Sequence, residues 1–242
     1  MTDEAVRQAT CMVINAHEVG TGWLITPSLV LTAFHCVETA VSSGECLTVQ
    51  FGTGAAAMQH RAELQAHDDD LDVCLLRLPT AMQIEPLAID TRLPRAGEKW
   101  SAFGYPVHKL DLGHALNGTI QQRLEELIHG VDLDLSVSPD TQLTNYDGLS
   151  GAVLTVAGDC CGLLRVSVNT ALAAVSFLQL RPFLEAHGVL VEDAPDATPS
   201  LPFGTRPDFD HMFEERLATL QNGYVIMEGA HGIGKSSNCQ QF

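Results

Sequence analysis

The stretch "GTGWLITPSLVLTAFHCV", residues 20–37, reads as two short apolar strands folded back on each other. Pro27 and Ser28 sit between them, and Pro suits the first central position of a tight turn. The second strand delivers His35 at its end, followed by Cys36. A histidine there can be one member of a catalytic group or a satisfied core residue. Which it is depends on what the rest of the chain supplies.

Residues 10–180 continue in the same manner. "CMVINAH", "CLTVQF", "DVCLLRL", "WSAFGY", "VDLDLSV", "GAVLTV" and "CGLLRVSV" are apolar or alternating, and turn residues punctuate most of them. Many short strands separated by turns predict a sandwich or barrel, not alternating strands and helices. Two stretches depart from the habit. "GTIQQRLEELIHG" (118–130) is expected to be a strand followed by a helical turn. "LRPFLEAHG" (180–188) is expected to be a short helix stopped by Gly188.

Composition narrows the function. The chain has 242 residues, 45% of them hydrophobic, enough for a substantial core. Thirty acidic residues face thirteen basic ones, for a formal charge of −17, which argues against nucleic acid as a ligand. The seven cysteines are odd in number and include no C-x-x-C pair, so free thiols in a reducing, cytoplasmic setting are expected. The polar N-terminus lacks an apolar leader, and no apolar run is long enough to span a membrane.

Three stretches read together suggest one site. Asp72, in "HDDDLDVCLLRL", opens a strongly apolar strand, where a partly buried carboxylate can hold an imidazole by its Nδ1–H. Ser150, in "YDGLSGAVL", lies between Gly148 and Gly151 before another apolar strand. A serine hydroxyl is a poor nucleophile unless a base with a pKa near neutrality takes its proton, and that base needs an acceptor that fixes its tautomer. The amides of Gly148 and Ser150, in a tight glycine turn, can point at a developing oxyanion. The cluster His67, Asp68, Asp69, Asp70 and Asp72 also raises the possibility of a hard-cation site, but it lacks the glycine and glutamate of a calcium loop and reads as a solvated turn. No metal is expected.

"TAFHC", "DVCLLRL" and "GLSGAV", with "GTGWLIT" and "AFGYP" around them, resemble the chymotrypsin-like serine peptidases in motif and in order. The resemblance covers about residues 10–187. It implies a mainly β fold of two antiparallel six-stranded barrels with the site between them. It implies a serine endopeptidase acting on a protein or peptide substrate without a cofactor. His35 would be the general base, Asp72 its orienting acid and Ser150 the nucleophile, with the amides of Gly148 and Ser150 as the oxyanion hole. Thr144 would stand at the base of the primary pocket, and Arg165, Val166 and Ser167 would form the strand edge that binds substrate, with Arg165 able to meet an acidic substrate residue. There are departures. Leu149 stands where an acid often precedes the serine, so activation through a freed N-terminus is not expected. Phe34 replaces a small residue and could crowd the cleft. Cys36 has no evident disulfide partner. A peptidase-like binding module without activity is the alternative.

Beyond this region the pattern changes. Residues 191–207 hold four prolines and read as a linker between a domain over 1–190 and a segment over 208–242. In that segment a helix over 208–223 and the strand "YVIME" precede "GAHGIGKS" (229–236), which matches the phosphate-binding loop pattern G-x-x-x-x-G-K-[ST]. Gly229, Gly232 and Gly234 would cradle phosphates, Lys235 would reach the terminal phosphates and Ser236 would hold Mg²⁺. The segment resembles the start of a signal-transduction NTPase of the STAND or NACHT type, which implies a truncated piece of a longer, ATP- and Mg-dependent protein. There a peptidase would be the switched effector, as in bacterial defence proteins, with oligomerisation possible on activation. A mainly NTP-binding role is the third reading.

Overall fold

A computed structural model describes residues 2–166 and 172–191. The chain divides into the units Met1–Asp196 and Ala197–Phe242, and every described residue belongs to the first. Ser167, the expected helix and strand over 208–228, the linker beyond Val191, and Gly229, Gly232, Gly234, Lys235 and Ser236 lie outside the described residues.

Twelve strands close into two antiparallel barrels of six among the described residues. The first contains β1 (Thr10–Ile14), β2 (Val19–Thr26), β3 (Leu29–Ala33), β4 (Leu47–Phe51), β5 (Met58–Asp68) and β6 (Val73–Arg77). They are ordered β1-β2-β3-β6-β5-β4. The second contains β7 (Lys99–Gly104), β8 (His114–Ile128), β9 (Val131–Val137), β10 (Val153–Val156), β11 (Asp159–Val166) and β12 (Leu172–Ser176). Their order is β10-β11-β12-β9-β8-β7. Closure pairs both edges of every sheet, which leaves no open edge for another chain to join.

Each barrel is filled by its own strands' inward residues. Leu24, Val30, Val49, Phe51 and Leu76 fill the first, while Leu31 and Leu75, each next to one of these on the same strands, are buried on the opposite face. Trp100, Leu116, Ile120, Leu133, Leu154 and Leu164 fill the second, together with Leu149 from the loop before β10. The two strands of the opening stretch form as read, up to Ala33. β2 and β3 pair around Pro27, whose carbonyl accepts from Met82 N–H at 2.7 Å.

Three helices flank the barrels: α1 (Asp3–Ala9), α2 (His35–Ser43) and α3 (Phe177–Ala186). The terminal helices cross over. α1 places the Arg7 guanidinium 4.5 Å above the ring of Phe103 in the second barrel's β7. α3 follows the second barrel yet packs Phe177 edge-on against Trp23 of the first, with ring centroids 5.7 Å apart. Gly188, expected as the stop of the last helix, has φ +78, and its N–H bonds to Glu185 O just past that helix.

Two expectations are corrected. Residues 118–130 contain no helical turn. β8 runs to Ile128, and His129 and Gly130, both with positive φ, turn the chain into β9. Pairing with β9 on both sides of "RLEEL", Arg123 with Leu133 and Ile128 with Val131, overrides its helix preference, and the register shifts between these two pairs. His35 does not end a strand either. β3 stops at Ala33, and His35 is the first residue of α2.

Phe177 is fully buried, and removing its ring leaves a cavity between α3 and the first barrel. Phe177→Ala is expected to lower unfolding stability by about 3–5 kcal/mol, read as a lower urea midpoint at unchanged slope.

Candidate active site

Strand register brings the first two residues together. β3 pairs with β6 so that Ala33 lies opposite Val73. One step further along the chain, Phe34 N–H donates to Asp72 O at 3.1 Å. There β3 gives way to α2, whose first N–H groups have no partner within the helix. Asp72 Oδ1 accepts from His35 N–H at 2.7 Å, so the carboxylate caps α2 from another segment. The His35 Nδ1–H donates to Asp72 Oδ2 at 2.6 Å. An ionised carboxylate can only accept, which sets Nδ1 as the protonated nitrogen and leaves Nε2 for the cleft. Asp72 adopts this position with φ +47, a left-handed conformation that aspartate tolerates better than most residues.

The neighbouring acids are used locally. Asp68 Oδ1 accepts from Leu71 N–H at 2.9 Å, and Asp69 faces His67 at 3.7 Å. Phe34 does not crowd the cleft. It is buried and stacked on the His67 ring, with centroids 4.2 Å apart.

Ser150 comes from the other barrel, on the loop between β9 and β10. Gly148 and Gly151 have φ near +90, which only glycine adopts without strain. A Cβ on Gly151 would lie 2.0 Å from Thr21 O, and one on Gly148 would lie 2.6 Å from Tyr105 O. Neither the Gly148 nor the Ser150 N–H donates to a partner among the described residues. His35, Cys36, Gly148, Ser150 and Val166 line one cavity of about 650 Å³ between the barrels. The Ser150 hydroxyl accepts from Val166 N–H at 3.3 Å, and among the described residues no hydrogen bond joins it to His35.

Electrostatics separate the acid from the base. Burial alone would raise the Asp72 pKa. The hydrogen bond from His35 and the positive charges of His35 and Arg165 hold it below the usual carboxylate range. Burial is the largest single influence and disfavours a charged His35, but the Asp72 hydrogen bond, the Cys36 contact and the charge of Asp72 together outweigh it. The net result pushes the His35 pKa up to about 10. The His35 side chain is 43% exposed against 13% for Asp72, so the imidazole, not the acid, meets the cleft.

Of the expected specificity residues, Val166 lines the cavity and Ser167 lies outside the described residues. Thr144 is exposed and does not line the cavity. Arg165 does not reach into the cavity as a partner for an acidic substrate. Its Nη2 pairs with Asp72 Oδ2 at 2.7 Å and its Nη1 donates to Leu71 O at 3.0 Å. Leu149, where an acid was the familiar residue, is buried in the second barrel's core. Cys11, Cys36, Cys46, Cys74 and Cys161 are in no disulfide among the described residues.

These contacts now stand beside the comparisons with known proteins. Residues 20–163 match the trypsin-like peptidase domain. The chain belongs to the trypsin-like peptidase family. Its fold is shared with three solved proteases, among others. Deg5 is 14% identical with a TM-score of 0.59, covering 78% of this chain and 99% of that one. The serine endoprotease from Yersinia pestis is 20% identical with a TM-score of 0.59, covering 76% of this chain and 65% of that one. The M. tuberculosis protease Rv3671c in its inactive form is 20% identical with a TM-score of 0.59, covering 76% and 91%. At these identities the likeness is one of fold. No curated protein matches the chain.

Sequence reasoning missed one set of residues in this trypsin-like domain. Thr21 Oγ1 donates to Gly148 O at 2.7 Å and accepts from Tyr105 N–H at 2.9 Å. The Thr21 N–H donates to Ser150 O at 3.1 Å, and Thr32 Oγ1 donates to Thr21 O at 2.7 Å. Both threonines are fully buried, so the first barrel holds the serine loop of the second by hydrogen bonds shielded from water. "GTGW" carried no local signal of this, because the second-barrel partners lie 84 or more positions away. Thr21→Val keeps the shape but leaves Gly148 O and Tyr105 N–H unpaired. It is expected to cost about 1–3 kcal/mol, measured by chemical denaturation, against a near-neutral Thr→Val change at an exposed strand position.

Proposed function

We propose that this trypsin-like domain is a serine endopeptidase. The observation that carries the reading is the 2.6 Å contact between His35 Nδ1 and Asp72, which turns Nε2 toward the cavity that Ser150 shares. Ser150 Oγ attacks the scissile carbonyl carbon while His35 Nε2 takes the hydroxyl proton. The oxyanion is met by the otherwise unpaired N–H groups of Gly148 and Ser150. The imidazolium then gives its proton to the leaving amine, which departs and leaves an acyl ester on Ser150. Water, deprotonated by the same histidine, hydrolyses that ester and restores the hydroxyl. Asp72 keeps the imidazole in one tautomer throughout.

The hydroxyl must first leave Val166 N–H and turn to His35, and His35 must lose its proton. Such loosened contacts are common in substrate-free enzymes and tighten when substrate binds. The same two facts also favour a second reading, a peptidase-like binding module without catalysis. A finer proposal concerns regulation. The motif at Gly229–Ser236 supports a nucleotide-responsive segment beside the peptidase, with Lys235 and Ser236 contacting ATP and Mg²⁺. The free thiols support a reducing compartment. No helix among the described residues is long and apolar enough to cross a membrane.

Labelling with a fluorophosphonate separates the readings, using the longest form of the protein that can be triggered. Wild type is expected to label and Ser150→Ala to lose the label. Equal labelling of the two sinks the peptidase reading. Asp72→Asn is expected to slow labelling by about three to four orders of magnitude. Labelling requires neutral His35, whose pKa is raised, so the rate should climb as pH rises from 7 towards 10. A plateau already reached at pH 7 contradicts this.

A further inference from the structure

We propose that Arg165 is a positioning residue for the acid–base pair, holding Asp72 in place from the second barrel and weakening the hold of Asp72 on the His35 proton. The inference rests on reading His35 as the base.

Geometry carries it. Asp72 Oδ2 receives two donors, His35 Nδ1–H at 2.6 Å and the Arg165 guanidinium at 2.7 Å. Two cationic donors on one oxygen share its negative charge, so each is held less tightly than it would be alone. The titratable groups around the pair of Asp72 and His35 come from three elements. α2 contributes His35 and, against the imidazole and Arg165, Cys36; β6 contributes Cys74, and β11 contributes Arg165. Of these, only Arg165 brings a positive charge that no proton has to leave in the reaction. Its second nitrogen donates to Leu71 O, the carbonyl just before the left-handed Asp72. One planar fork therefore fixes both the carboxylate and the backbone that carries it, a task a single ammonium point charge performs less well.

The guanidinium is also enclosed. The Arg165 side chain is 17% exposed, and the β8–β9 turn closes over it. A Cβ on Gly130 would lie 2.8 Å from Asp70 O and 3.2 Å from Arg165 Nη1. A cation seated this way acts at higher strength than one screened by water. Arg165 lies at the end of β11, one residue before Val166, whose N–H holds the Ser150 hydroxyl. The same short segment thus touches both the acid and the nucleophile, while His35 stands between them.

The test is an NMR titration of His35 in protein labelled on its histidine rings, with the resonance identified by its loss in His35→Gln. Arg165→Gln is expected to raise the His35 pKa by about one pH unit. Arg165→Met, apolar and of similar length, is the second neutral variant and should do the same if the glutamine disrupts the cleft. Arg165→Lys restores the charge and should bring the value back to within about 0.3 of wild type. A neutral variant that leaves the His35 pKa unchanged, or lowers it, overturns the proposal. The pH midpoint of Ser150 labelling should move upward with the NMR value, and an unmoved midpoint in labelled variants also overturns it. A shifted NMR pKa with no labelling in any form supports the role of Arg165 and sinks the peptidase reading instead.

Discussion

Both oxygens of the Asp72 carboxylate, and its own main-chain carbonyl, are occupied. Oδ1 caps α2 through His35 N–H, Oδ2 takes the His35 ring and Arg165, and the carbonyl takes Phe34 N–H. One residue thereby closes the end of the β3–β6 ladder, starts a helix and sets the tautomer of an imidazole. Because the carboxylate is desolvated, its charge needs these partners, and they in turn have no alternative place to go. The site is a consequence of satisfying a buried anion at a strand-to-helix junction.

The barrels supply the rigidity this requires. Each buries its own apolar core, and His35, Asp72 and Ser150 sit on segments leaving or entering the strands. What keeps the two halves in register is polar. Thr21, itself held by Thr32, reaches from the first barrel to the serine loop, and Arg165 reaches from the second to Asp72. The crossed terminal helices add an apolar clasp through Trp23 and Phe177. Hydrogen bonds give such an interface its alignment, since they tolerate little displacement, while the aromatic contact supplies area.

Local sequence was informative wherever the signal was local. Alternating apolar runs and turn residues were enough for the strands. The glycines around Ser150 were legible because positive φ and close backbone approach exclude other residues there. "RLEEL" misled because its helix preference is intrinsic while the pairing that flanks it, Arg123 with Leu133 and Ile128 with Val131, is not, and that pairing outweighs a few tenths of a kcal/mol per residue. α2 was missed for the complementary reason. Its start is capped by Asp72, 37 positions after His35, and no cap stands beside it in the chain.

Arg165 marks the boundary between the two kinds of knowledge. Read along the chain it is a cation on a strand edge, free to meet a substrate. In the fold its guanidinium lies against Asp72 and Leu71, because β11 carries it there and the β8–β9 turn closes over it. By itself the sequence determined the β architecture, the order of the histidine, aspartate and serine stretches, and the glycines their loop demands, because periodicity and backbone sterics act between neighbours. Only the tertiary structure decided which charges meet. Coulomb forces and hydrogen bonds depend on distance in space, and barrel closure sets those distances between residues that sequence separation keeps apart.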